Sequence, residues 1–317
     1  MQSIKNIYKI GPGPSSSHTF GPMKASSYML EKYPEADRFD VILYGSLALT
    51  GKGHLTDMII KKTLNPKETN IEFNLKDSCK HPNTMTIEAF KENQSLGKHQ
   101  FVSVGGGKIE IDGQKNDEVD DVYPHSTMDD IQNYCKQRHL RLDQYIDIFE
   151  GPEFDAYMKN IFKAMLKCVK TGLNKTGVLP GSLKLDRVAH ALFQSANSCE
   201  DITDKNNLLV CSYAYAASEQ NASGGTVVTA PTMGSCGVLP SLVYHFYHDL
   251  HYPKVTLIQG LKVAGLIGNL IQTNATISGA KAGCQAEVGA ACAMGSAWLP
   301  IVRCRPMNRS NVLLKLV

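Results

Sequence analysis

The sequence contains no Cys-x-x-Cys pair, although it carries nine cysteines, at 79, 135, 168, 199, 211, 236, 284, 292 and 304. Zinc-ribbon and dithiol redox chemistry therefore have no spacing to support them. The cysteines are odd in number and scattered through 317 residues, a length that can bury its cores without disulfide staples. That usage points to a reducing compartment, the cytoplasm, and leaves reactivity or metal binding as the special roles open to a thiol. Charge of one sign is also lacking. The 33 basic and 30 acidic residues give a formal net charge of +3, too balanced for a nucleic-acid binder. The opening MQSIKNIYKI breaks its apolar residues with Lys5, Asn6 and Lys9, which excludes a signal-peptide core. Val255–Ile277 is interrupted by Gln259, Lys262, Asn269, Gln272 and Asn274. It is not expected to span a bilayer, which needs ~20 predominantly apolar residues. A Gly-x-Ser-x-Gly nucleophile elbow is absent. Gly45–Gly53 resembles a phosphate loop but is one residue too long and has Gly53 where Ser or Thr should hold magnesium.

What is present describes a folded protein of about two domains at ~150 residues each. Pro22–Tyr33 reads as a helix stopped by Pro34. Phe39, Val41 and Leu43 alternate as in a strand, as do Ile71, Phe73 and Leu75, then Met85, Ile87 and Ala89, then Phe101, Val102 and Val104. An α+β N-terminal domain over 1–150 follows from this mixture. Beyond it, Phe154–Thr171 carries apolar residues at helical spacing and meets Gly172, a C-terminal stop signal. Asp186–Asn197, Leu208–Glu219, Val238–Leu250 and Val255–Thr273 read as further helices. The second domain, 151–317, is expected to be mainly α-helical, with the linker near Gly151-Pro152.

Three segments carry candidate chemistry. Gly11–Met23 is a turn stiffened by glycine and proline, in which Ser15, Ser16, Ser17, His18 and Thr19 feed a helix start. Hydroxyls and N–H groups there suit a carboxylate or phosphate, and one serine equally suits a plain helix cap. Tyr44–Asp57 places His54 in a glycine-rich turn, where an imidazole can reach a ligand or simply be hydrogen-bonded at the surface. Asn221–Gly237 and Asn274–Gly289 put Thr232, Ser278 and Gly279 among small and polar residues. Tight helix crossings also select Gly and Ala, but clustered Thr, Ser, Asn and Gln need hydrogen-bond partners if buried.

At these motifs the sequence resembles the iron–sulfur-dependent L-serine dehydratases (L-serine ammonia-lyases), in the form that joins β and α parts in one chain. Pro-Ser-Ser-Ser-His-Thr at 14–19, Tyr-Gly-Ser-Leu-Ala-Leu-Thr-Gly-Lys-Gly-His at 44–54 and Ser-Val-Gly-Gly-Gly at 103–107 look like β-domain signatures. Thr-Gly-Val-Leu-Pro-Gly at 176–181, Val-Thr-Ala-Pro-Thr at 228–232 and Ile-Ser-Gly-Ala-Lys-Ala-Gly-Cys-Gln-Ala-Glu-Val-Gly at 277–289 look like α-domain signatures. The resemblance implies deamination of L-serine to pyruvate and ammonia in amino-acid catabolism and gluconeogenesis. It implies a [4Fe–4S] cluster on three cysteines, whose open iron acts on the substrate hydroxyl as a Lewis acid. Cys284 matches one ligand. Ser15, Ser16, Ser17, His18, Thr19 and His54 would lie near the substrate, and Thr232, Ser278 and Gly279 would line the pocket; the general base is not assigned. A cytoplasmic homodimer with no nucleic-acid or membrane partner is the expected assembly.

The resemblance is expected to lapse after about residue 294, where GSAWLPIVRCRPMNRSNVLLKLV begins. Pro300 and Pro306 should interrupt the expected helix. Two of the three family cysteines are not found, since Cys304 has the wrong context and Cys236 and Cys292 read as small buried residues. The expectation is an L-serine ammonia-lyase incomplete after about 294, with a truncated or frameshifted, cluster-free and inactive copy as the alternative. Two rivals remain. One is an amino-acid-binding protein using only its N-terminal domain. The other is a pyridoxal-phosphate dehydratase, for which Ser182-Leu183-Lys184-Leu185-Asp186-Arg187 lacks the usual Ser-x-Lys-x-Arg-Gly context.

Overall fold

The structure is a computed structural model and describes residues 1–77, 79–115, 121–181, 183–277 and 279–303. Its contacts divide the chain into two compact units, one of Met1–Gly11 with the chain from Val119 onward, the other of Pro12–Glu118. The chain begins in the first unit with a 3-10 turn over Ile4–Asn6 and strand β1 (Ile10–Pro12).

The second unit is built on a mixed sheet. Strand β2 (Arg38–Tyr44) buries Phe39, Val41 and Leu43 and turns Arg38 and Asp40 to the other face, the period of two that a half-covered sheet requires. Helices α1 (Gly21–Lys32), α2 (Gly45–Thr50) and α3 (Thr56–Leu64) are interleaved with it, and α2 and α3 form the crossover to β3 (Glu68–Asn74), which pairs parallel to β2. Strands β4 (Thr84–Lys91), β5 (Gln94–Gly105), β6 (Lys108–Ile111) and β7 (Gln114–Lys115) extend the other side antiparallel, giving the order β3-β2-β4-β5-β6-β7. Met85, Ile87, Ala89 and Phe101 join the β2 residues in one core with Ala25 and Met29 of α1 and Ile60 and Leu64 of α3.

Helices dominate the first unit: α4 (Met128–Gln137), α5 (Leu142–Glu150), α6 (Phe154–Leu173), α7 (Ala189–Asn197), α8 (Ile202–Ala222), α9 (Val238–His248), α10 (Lys254–Asn274) and α11 (Gly279–Val302). Between α8 and α9, strand β8 (Thr226–Val228) pairs with β1. The expected fold class, α+β followed by mainly α, is therefore present. The compact units nevertheless divide elsewhere than residue 150. Ile131, Tyr145 and Ile146 of α4 and α5 pack in the same core as Met158, Ile161 and Leu261, and Ile4, Ile7 and Tyr8 join them there.

Other expectations change. Helix α6 ends at Leu173, one residue beyond the expected stop at Gly172. Gly172 also lies against α8, where a Cβ would come within 2.2 Å of the Ala216 carbonyl oxygen. Helix α11 continues through Pro300: Trp298 and Val302 are buried on either side, and Arg303 N–H still reaches the Leu299 carbonyl at 3.0 Å. Trp298 is fully buried and donates its indole N–H to Leu257 O at 3.2 Å, so the chain through Val302 belongs to this core. Cys236 is buried as expected, whereas Cys292 is exposed on α11. Pro306 and Cys304 lie outside the described residues. Helix α10 proves long and apolar enough, by length and composition, to cross a membrane, contrary to the expectation for Val255–Ile277. It is a core helix here, with 72% of its apolar window buried inside the protein.

Candidate functional site

The turn before α1 is a π-helical turn over Ser16–Phe20. Ser15 caps it, its Oγ accepting the His18 N–H at 3.1 Å, so the plain capping reading holds for that residue. The Ser16 carbonyl accepts the Gly21 N–H. The wider turn brings His18 inward. Its ring is buried and held at both nitrogens, Nδ1 by Ser17 Oγ at 2.9 Å and Nε2 by Ser46 Oγ at 2.9 Å. Burial, and then the neighbouring charge of His54, push its pKa down to about 4, against the opposing effect of the Ser46 backbone as acceptor. His18 is thus a neutral imidazole near pH 7.

His54 arrives from the turn between α2 and α3. Its ring centroid lies 4.6 Å from that of His18, the planes tilted by 37°. Nδ1 contacts the Thr50 carbonyl at 3.0 Å. A carbonyl only accepts, so Nδ1 carries the hydrogen and the lone pair of the neutral ring is on Nε2. No described residue hydrogen-bonds that nitrogen. The second unit therefore assembles Ser15, Ser17, His18, Thr19 and His54 into one hydroxyl-and-imidazole cluster, with Ser46 and Thr56 added. Ser46 and Thr56 both stand inside the Tyr44–Asp57 segment, where no spacing rule sets them apart from its other hydroxyls.

In the first unit, the turn after β8 holds Thr232. Ser235 Oγ donates its hydrogen to the Ala230 carbonyl at 3.1 Å, so Thr232 Oγ1 donates to Ser235 Oγ at 3.1 Å and keeps its lone pairs. The turn sits against α11, since a Cβ on Gly234 would come within 2.6 Å of the Glu287 carboxylate. Gly279 opens α11, and Ser278 lies outside the described residues. Gly283 breaks the helix at φ 74°, a conformation open to glycine, and the next residue is Cys284, whose thiol is exposed. A cavity of about 640 Å³ in this unit is lined by Thr127, Met128, Leu270, Ile271, Asn274 and Ala286. Its largely apolar walls suit a small zwitterion poorly.

Cys284 has the exposure a metal-binding thiolate needs, but among the described residues no three His, Cys, Asp or Glu side chains converge on one point. Cys292 stands eight residues further along α11, about 12 Å by helical rise. The described residues thus offer one thiolate where three are implied, and they do not by themselves form a cluster site.

Comparison with known proteins gives this arrangement its class. Residues 58–303 match the family model of the serine dehydratase alpha chain, and residues 3–70 that of the serine dehydratase beta chain. The chain is similar to an L-serine dehydratase of Haemophilus influenzae (32% identical) and to L-serine dehydratases 1 and 2 of Escherichia coli (32% and 34%). Each alignment covers 94% of this chain and 78% of the relative. The chain belongs to the L-serine dehydratase family of lyases. The match through residue 303 corrects the expectation that family likeness ends near 294, in agreement with the burial of Trp298 and Val302.

Proposed function

We propose that the protein is an L-serine ammonia-lyase, removing water from L-serine to leave aminoacrylate, which hydrolyses to pyruvate and ammonia. The observation that carries the reading is the imidazole pair: His54 offers a proton-accepting Nε2 beside a His18 ring kept neutral. An imidazole whose acceptor nitrogen is open, with the other nitrogen bonded to a carbonyl, is the side chain most often used as a general base. Ser16 and Ser17 of the second unit and, separately, Thr232, Ser278 and Gly279 of the first are the residues we assign to substrate binding, whereas the Ser15 and Thr19 hydroxyls are committed to holding the turn. Residues 1–150 would serve as the β-type domain and 151–317 as the α-type domain, in a cytoplasmic homodimer that feeds pyruvate toward gluconeogenesis.

The family's [4Fe–4S] cluster would supply the Lewis acid that helps hydroxide leave. Cys284 is the described residue suited to it, and further thiolates would have to come from outside the described residues. Pyruvate release from L-serine after anaerobic iron and sulfide reconstitution tests the reading, with D-serine as control. Activity with L-serine is expected, and His54→Gln should lower kcat by about 10²–10⁴-fold. No pyruvate from the reconstituted protein, or an unchanged rate in His54→Gln, would overturn it.

A further inference from the structure

The two histidines are laced together by hydroxyls in a reciprocal pattern. Thr19, adjacent to His18, donates from Oγ1 to the carbonyl of His54 at 2.7 Å. Thr56, two residues after His54, donates from Oγ1 to the carbonyl of His18 at 2.5 Å. Both threonines are buried. Both carbonyls lie where the backbone departs from the α-helical register. Pro22, four residues after His18, has no N–H for an i+4 bond to the His18 carbonyl. The His54 carbonyl precedes Leu55, whose φ of +57° takes the chain out of helical register, and Met58 N–H, four residues on, donates to the Asp57 carboxylate instead. Thr19 Oγ1 also accepts the Ser15 N–H at 3.2 Å, so its hydroxyl works in both directions.

The two rings differ in how they are held. His18 is gripped at both nitrogens, whereas His54 is held only through Nδ1, by a carbonyl of its own turn. The position of His54 relative to His18 therefore depends on the register of one turn against the other, and the two crossed bonds span that register. We propose that Thr19 and Thr56 are positioning residues, whose crossed hydroxyl-to-carbonyl bonds fix the His18–His54 ring geometry. Their effect on turnover rests on the L-serine lyase reading; their effect on the rings does not. A buried carbonyl stripped of its donor must move toward another donor or water, and the attached ring moves with it.

The test compares Thr19→Val, Thr56→Val, and the corresponding Thr→Ser variants in the full chain. NMR of histidine-labelled protein reads ring resonances and ring-to-ring NOEs, and L-serine kinetics on reconstituted enzyme reads kcat and KM. The Val variants are expected to lose the His18–His54 NOE and about 10²-fold in kcat, with KM changed much less. The Ser variants should restore the NOE and most of the rate. A folded Val variant that keeps wild-type ring resonances and NOE, or a Ser variant as impaired as Val, would overturn the proposal. If the Val variants fail to fold, the wild-type protein decides the matter. Its Thr19 and Thr56 hydroxyl protons should exchange slowly with solvent, and fast exchange would count against it. Absence of pyruvate from wild type would remove the functional reading while leaving the NOE comparison valid.

Discussion

Ser46 Oγ lies 2.9 Å from Nε2 of His18, closing the second end of an imidazole whose first end is held by Ser17. The ring pays for this enclosure in basicity. Burial and the charge of His54 lower its pKa from 6.5 to about 4.

The consequence for stability has a definite sign. Between pH 4 and 6.5 the unfolded chain takes up the proton that the folded chain refuses, so stability rises with pH across that window. The contribution is fully present above pH 6.5 and is lost as pH falls toward 4. From pH 7 to pH 5 that loss is about 2 kcal/mol. Urea unfolding of wild type and His18→Gln at both pH values should show the variant's pH-dependent loss smaller by about this amount. Equal slopes in the two proteins would show that His18 is not protected from protonation.

Much of the fold was legible because burial on one side writes a local pattern. Phe39, Val41 and Leu43 alternate in the sequence because one face of β2 is covered. Gly172 carries a second role that local pattern does not show: its missing Cβ lets α8 approach, and the Ala216 carbonyl it meets is 44 residues away. The place of the first ten residues was equally hidden. Tyr8 donates to Leu261 O at 2.8 Å and Thr229 to Ile7 O at 2.5 Å, contacts with no local signature. In the candidate site, His18 and His54 could be named from glycine-rich context. The Thr19–Thr56 lacing could not, since a hydroxyl bonded to a carbonyl 35 or 38 residues away has no characteristic spacing.

Trp298 makes the packing of the last described turns measurable. It is the chain's only tryptophan, and Gly260 of α10 lies so close that a Cβ there would meet the indole at 2.7 Å. Trp298→Ala should destabilise the protein by about 3–5 kcal/mol. Gly260→Ala should cost about 1–3 kcal/mol through overpacking, although alanine is the better helix former. Circular dichroism during chemical denaturation checks both. Native fluorescence should be that of a buried indole and should shift red on unfolding; a solvent-like native spectrum would contradict the position of α11.

Lys262 offers a sharper test, because its pairing is asymmetric. The ammonium is 5% exposed and lies 2.5 Å from Asp147 and 2.6 Å from Asp155, whose side chains are 49% and 61% exposed. Burial alone would lower the lysine pKa, but hydrogen bonds and attraction from the two carboxylates outweigh it and hold the pKa above its ordinary value. The hydrogen bond from Lys262 in turn keeps the Asp155 carboxyl below its usual range, so that part of the stabilisation persists above the ordinary carboxylate pKa and is lost as acid protonates Asp155. Removing the lysine leaves two carboxylates already in reach of water, and Lys262→Met fills its apolar surroundings. Removing both carboxylates strands a buried cation. Asp147→Asn/Asp155→Asn should therefore cost about 3–5 kcal/mol at pH 7. Lys262→Met should cost clearly less, and the double variant should regain stability as rising pH deprotonates the lysine. Urea unfolding of the three proteins from pH 7 to 9 decides the order; a Lys262→Met protein as unstable as the double variant would show that the ammonium itself, rather than its unpaired burial, matters to the fold.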